Sequence, residues 1–74
     1  MEKKYECVED LQGAEWCIGE VDTIEGWRQR SLEWIKEEAF DDYELIVEEL
    51  RSLPKEKVMD WIADFYQFAF KEVA

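Results

Sequence analysis

The chain has 74 residues, 20 of them Asp or Glu against nine Lys or Arg and no His, for a formal net charge of −11. That length supports one domain, and a domain of this size buries only about 60% of the surface its unfolded chain exposes. The negative field attracts basic partners and excludes nucleic acid and anionic membrane as direct ligands, while four Trp, four Phe and three Tyr among 47% hydrophobic residues exclude an acidic disordered segment, which would be poor in aromatics.

Residues 4–21 predict a short β-hairpin. With Gln12-Gly13 as a two-residue turn, Tyr5 pairs with Glu20, Cys7 with Ile18 and Leu11 with Ala14. That register sets Tyr5, Cys7, Leu11, Ala14, Trp16 and Ile18 on one half-buried face. A three-residue loop, Leu11 to Gly13, would place Cys7 opposite Cys17 but also Glu9 opposite Glu15, an unfavourable like-charge pair, so the first register is preferred.

Asp22 is the expected N-cap of the first helix, with Glu25 completing a variant capping box. Ile24, Trp27, Ser31, Trp34, Ile35 and Ala39 recur at helical spacing to about residue 38, with Leu32 beside them. Gly26 in the first turn weakens that helix slightly. Asp41-Asp42 marks a break and a fresh N-terminus, where carboxylates suit the positive end of the helix dipole. The second helix, about 42–52, carries Tyr43, Ile46, Val47, Leu50 and Leu53 on one stripe and Glu44, Glu48, Glu49 and Arg51 on its other side. Pro54 fits the first turn of a third helix, whose apolar stripe is Val58, Trp61, Ile62, Phe65, Ala69 and Val73. That stripe assigns the third helix mostly to the core. In the tail, Tyr66, Phe68 and Phe70 alternate with Gln67, Ala69 and Lys71 at a strand's period. Ala, Gln, Lys and Glu favour helix and the 3.6-residue pattern is longer, so the helix is expected to reach about residue 72. The expected class is α+β, a short N-terminal hairpin followed by three helices packed as a small bundle. The alternatives are an all-α fold, or residues 66–73 as a third strand against the hairpin.

The sequence offers no catalytic constellation. Without His the usual proton shuttle at neutral pH is missing. Neither Ser31 nor Ser52 sits in a nucleophile motif, and Cys7 and Cys17 lie where no cation would activate a thiol. Two Cys without His do not make a zinc site, the acids follow no EF-hand pattern, and the three glycines build no phosphate loop. The chain is expected to be no enzyme and to hold no cofactor or metal. No apolar run follows Lys3-Lys4, and none approaches the roughly 20 residues that span a bilayer. The expectation is a cytoplasmic protein with reduced cysteines.

The acids cluster. From Tyr5 to Trp27 stand Glu6, Glu9, Asp10, Glu15, Glu20, Asp22 and Glu25 without a cation, and from 37 to 50 stand Glu37, Glu38, Asp41, Asp42, Glu44, Glu48 and Glu49, again without one. The second window is the candidate partner-binding site. Glu44 and Glu48 sit one helical turn apart, about 5.4 Å, while every second phosphate of a DNA strand advances about 6.8 Å. Carboxylates on a rigid helix can therefore imitate a phosphate row. The plainer reading is a solvated helix face, but such faces usually carry Lys four residues on, and here there is none. The first window reads as charge protecting strand edges. Trp27, Trp34, Trp61 and Phe65 read as core, with one of Phe68 and Phe70 left exposed for self-association or a partner contact.

In size, acidity and lack of catalytic residues the chain resembles the DNA-mimic proteins that phages and mobile elements use against host defence, such as anti-CRISPR and anti-restriction proteins. The likeness is compositional and rests on no motif. It implies inhibition of a basic nucleic-acid-binding protein or complex by occupancy, in the host cytoplasm if the protein is phage-encoded. The alternatives are a small interaction or adaptor module, dimeric through exposed aromatics, and an antitoxin- or immunity-type protein that neutralises a basic partner.

Overall fold

The computed structural model describes residues 3–10, 17–38 and 43–73. Along the chain run β1 (Lys4–Asp10), β2 (Val21–Thr23), α1 (Ile24–Glu38), α2 (Tyr43–Ser52), α3 (Lys55–Tyr66) and β3 (Phe68–Val73). The strands form one antiparallel sheet in the order β2-β1-β3, so the first strand is the middle one. The fold is α+β. Trp27 from α1 meets Phe70 at 4.9 Å between ring centroids, and Trp34 meets Phe68 at 6.4 Å. These rings join the helices to one face of the sheet, over a core of Cys7, Cys17, Trp27, Leu32, Ile35, Val47, Leu50, Val58, Ile62, Tyr66 and Phe68.

The third helix stops earlier than its apolar stripe suggests. It ends at Tyr66, and Gln67 turns left-handed (φ 61°), its N–H donating to Ala63 O. The Gln67 side chain closes the same turn, Nε2 donating to Asp64 O at 2.7 Å. Residues 68–73 are then a strand, not the expected end of a helix. Burial explains the choice: two residues on a helix advance about 200°, which would send Phe68 and Phe70 to nearly opposite sides. On a strand both face the same way, and here they meet Trp34 and Trp27. Neither is left exposed for self-association, as the sequence had suggested one would be: Phe68 is 5% exposed and Phe70 packs against the core.

The hairpin register also differs. Tyr5 pairs with Asp22 and Glu6 with Val21, two residues away from the expected pairing of Tyr5 with Glu20. Cys7 N donates to Glu20 O (3.0 Å), and Cys7 O accepts from Gly19 N (2.8 Å). A turn at Cys17–Glu20, with Gly19 at φ 90°, feeds β2, and Ile18 at its tip is exposed rather than paired with Cys7. For the residues of β1 and β2 a slip of two keeps each side chain on its face, so hydrophobic alternation cannot detect it; in the turn the faces are reversed, Cys17 buried and Ile18 exposed. The expected turn at Gln12-Gly13, with Leu11, Ala14 and Trp16, lies outside the described residues.

A bulge interrupts β1. Cys7 pairs with Phe70 and Glu9 with Ala69, leaving Val8 unmatched. An unbroken strand would carry Glu9 inward behind Cys7. Instead Val8 and Glu9 are exposed, and Asp10 (8% exposed) turns inward opposite Phe68.

Thr23, not Asp22, caps α1: its Oγ1 accepts from Gly26 N at 3.1 Å. Asp22 Oδ1 accepts from Thr23 N (2.7 Å), and Oδ2 accepts from Arg30 Nε (3.0 Å). Its carboxyl occupies the space a Cβ on residue 26 would need, which is why glycine stands in the first turn. In most exposed helix positions Gly→Ala adds up to about 1 kcal/mol. Here Gly26→Ala is expected to lower stability by about 1–2 kcal/mol, because it displaces a carboxylate that holds both Thr23 and Arg30. Urea denaturation decides the sign. Pro54 likewise sits one position before its expected place, as the N-cap of α3 rather than in its first turn.

Candidate partner-binding surface

The described carboxylates of the second acidic window all reach solvent. Glu37 and Glu38 end α1, while Glu44, Glu48 and Glu49 lie on α2. Asp41 and Asp42 lie outside the described residues. The inward anchors of α2 are Val47 and Leu50, which turn the glutamates away from the core. Arg28 of α1 fixes the far end of that helix: Nη1 donates to Leu50 O (3.2 Å) and Arg51 O (2.9 Å), and Nη2 pairs with Glu25 at 3.0 Å. A cation there meets carbonyls that have no partner within the helix. At the centre of the outward side stands Leu45, 72% exposed and one turn from both Glu48 and Glu49.

The ion pairs among the described residues lie elsewhere. Lys3 pairs with Glu72, Arg28 with Glu25, and Arg30 with both Glu20 and Asp22. Among the described residues none of Glu37, Glu38, Glu44, Glu48 and Glu49 takes part in an ion pair. The first window is different. Three of its acids are neutralised by arginines of α1, Asp10 is buried, and Glu6 lies opposite Lys71 across the strands. Edge protection does not describe β1 either, since it is the middle strand.

Two acids of the second window act on aromatic side chains. Glu49 Oε2 accepts from Trp61 Nε1 at 3.0 Å, tying α2 to α3. Glu38 acts on Tyr66: burial first, and then this carboxylate, push the phenol well above its ordinary range. Tyr66 is 7% exposed, and its hydroxyl has no hydrogen-bond partner among the described residues.

Sequence reasoning overlooked a second acidic row. Glu56, Asp60 and Asp64 are exposed along α3, each one turn from the next. The apolar stripe through Val58, Trp61, Ile62 and Phe65 drew that helix into the core, yet a stripe occupies only one side. The four-residue spacing of the three acids was the available signal. Among the described residues no three His, Cys, Asp or Glu side chains converge as a metal site, and no helix is long and apolar enough to cross a membrane. Comparison with protein-family models, with curated proteins and with solved structures finds no match.

Proposed function

We propose that this protein is a non-catalytic inhibitor that occupies the basic, nucleic-acid-binding surface of another protein or complex, presenting carboxylates where phosphates would lie, in the manner of phage anti-CRISPR and anti-restriction proteins. The observation that carries the reading is that, among the described residues, none of the exposed acids at the end of α1 and along α2 takes part in an ion pair, while Arg28 and Arg30 are engaged elsewhere. An ordinary solvated face would carry interleaved lysines. Glu44 and Glu48, four residues apart on α2, advance about 6 Å along the axis, close to the 6.8 Å of alternate phosphates. Binding of this kind is steered by charge and weakens steeply with salt.

The test is capture of a nucleic-acid-binding protein from a host lysate at about 50 mM and again at about 300 mM salt, where screening is much stronger. Capture is expected at low salt and to fall at high salt. Glu44→Lys combined with Glu48→Lys is expected to cut it roughly tenfold or more, with unchanged circular dichroism. Capture that survives both the salt and the reversal overturns the reading.

A further inference from the structure

The outer side of α3 holds a groove of about 450 Å³ lined by Leu53, Lys57, Asp60, Trp61 and Asp64. The Trp61 ring is held from two directions. Its Nε1–H is fixed by Glu49 (3.0 Å), and the ring stacks on Phe65 with centroids 4.9 Å apart and planes 9° from parallel. The half-buried indole therefore meets the groove in a defined orientation. Asp60 and Asp64 lie one turn apart on the same lining and are exposed. Lys57 also lines it, but among the described residues it makes no ion pair with either aspartate. An electron-rich ring bordered by carboxylates, in a chain of net charge −11, is matched by a flat cation.

We propose that this groove receives an arginine side chain of the basic partner, its guanidinium lying on Trp61 and hydrogen-bonded to Asp60 and Asp64. The inference rests on the reading that the partner is a basic protein, and it adds a specific anchor on α3 to the general attraction of α1 and α2. Arginine fits better than lysine. Its planar fork both stacks on an aromatic ring and bonds carboxylates in pairs, whereas an ammonium is a compact, strongly hydrated point charge. Leu53 supplies apolar surface for the methylene stem. Carboxylates alone already favour arginine through paired hydrogen bonds; the Trp61 ring adds stacking to that preference.

The test uses two probes of equal charge, tetra-arginine and tetra-lysine, titrated into the intact protein and followed by the indole N–H resonances in proton–nitrogen NMR. The Trp61 resonance is identified by its loss in Trp61→Phe. Tetra-arginine is expected to shift that resonance and to bind about fivefold tighter than tetra-lysine. Asp60→Asn with Asp64→Asn is expected to weaken tetra-arginine about tenfold and to erase the preference. Equal affinity for the two peptides, or binding that leaves the Trp61 resonance in place, overturns the groove. If tetra-arginine affinity is instead lost only in Glu44→Lys with Glu48→Lys, the groove fails while the wider reading stands. If neither pair of substitutions weakens it, the groove fails and the wider reading loses its support as well.

Discussion

Trp27→Ala is expected to cost about 3–5 kcal/mol, the range for truncating a buried Trp, and to leave the domain mostly unfolded at 37 °C. A domain this small has roughly 3–5 kcal/mol of net stability to lose. Trp27 is fully buried, and its ring meets Phe70 at 4.9 Å and Trp34 at 6.3 Å, both edge to face. Its Nε1–H donates to Tyr5 O at 2.9 Å, fastening α1 to the middle strand. The Arg30 guanidinium lies 5.2 Å from its ring centroid, so one residue joins helix, sheet and a surface cation. Alanine would remove those contacts together and leave the Tyr5 carbonyl without its donor. Trp27→Phe keeps part of the volume and is expected to lose about half as much. Urea denaturation followed by far-UV circular dichroism measures both; a loss below about 1 kcal/mol for the alanine variant would mean that the core is organised around some other residue.

Alkaline pH is expected to unfold the protein through two buried groups. Burial, reinforced by the neighbouring Cys7 thiol, holds the Cys17 thiol well above its ordinary range, and burial with the Glu38 carboxylate does the same for Tyr66. In each case the folded state retains a proton that the unfolded chain releases. Their contribution is therefore complete below the unfolded values, about 8.5 for Cys and 10 for Tyr. It is lost as pH climbs beyond them. Each group removes about 1.4 kcal/mol per pH unit, so stability should begin to fall near pH 9 and fall twice as steeply above pH 10. Tyr66→Phe isolates one of the two. It is expected to add about 1 kcal/mol at neutral pH, by removing a buried hydroxyl that no described group satisfies, and to flatten the curve above pH 10. A stability flat from pH 8 to 11 would contradict this account.

The elements differ in how far they can be read without the structure, for identifiable reasons. α1 and α2 follow their stripes to within a residue or two because Trp27, Ser31, Leu32, Ile35, Val47 and Leu50 recur at the helical period and are the buried residues. The end of α3 misleads because Ala69 and Val73 happen to extend its period. What overrides them is tertiary: β1 offers an edge, and Phe68 and Phe70 reach the same core only as a strand. The hairpin register is invisible to alternation for a different reason, since a two-residue slip preserves both faces of the paired strands. At the candidate site, the exposure of Glu44, Glu48 and Glu49 follows from the burial of Val47 and Leu50 and was legible. The neutralisation of Glu20 and Asp22 was not, because Arg30 comes into range only when α1 packs beside β2, whereas the Glu25–Arg28 pair, three residues apart on α1, follows from helical spacing alone. Nor was the Trp61 groove: Lys57, Asp60, Trp61 and Asp64 are neighbours on α3, but Leu53 precedes that helix and Glu49, which orients the indole, comes from α2.

The position of β1 has a consequence in time. The middle strand is made near the start of the chain, and its longer partner, β3, near the end. Until residues 68–73 arrive, β1 has only the three residues of β2 beside it, and a lone two-stranded ribbon is marginal in water. During synthesis the helices can form and pack on one another first, but the sheet cannot close. Contacts between such distant residues also carry the largest loop-closure cost and form slowly. Folding should therefore be limited by the meeting of β1 and β3. For that interval the surface facing Phe68 and Phe70 is uncovered, and the strong like charge of the chain keeps such half-built copies apart.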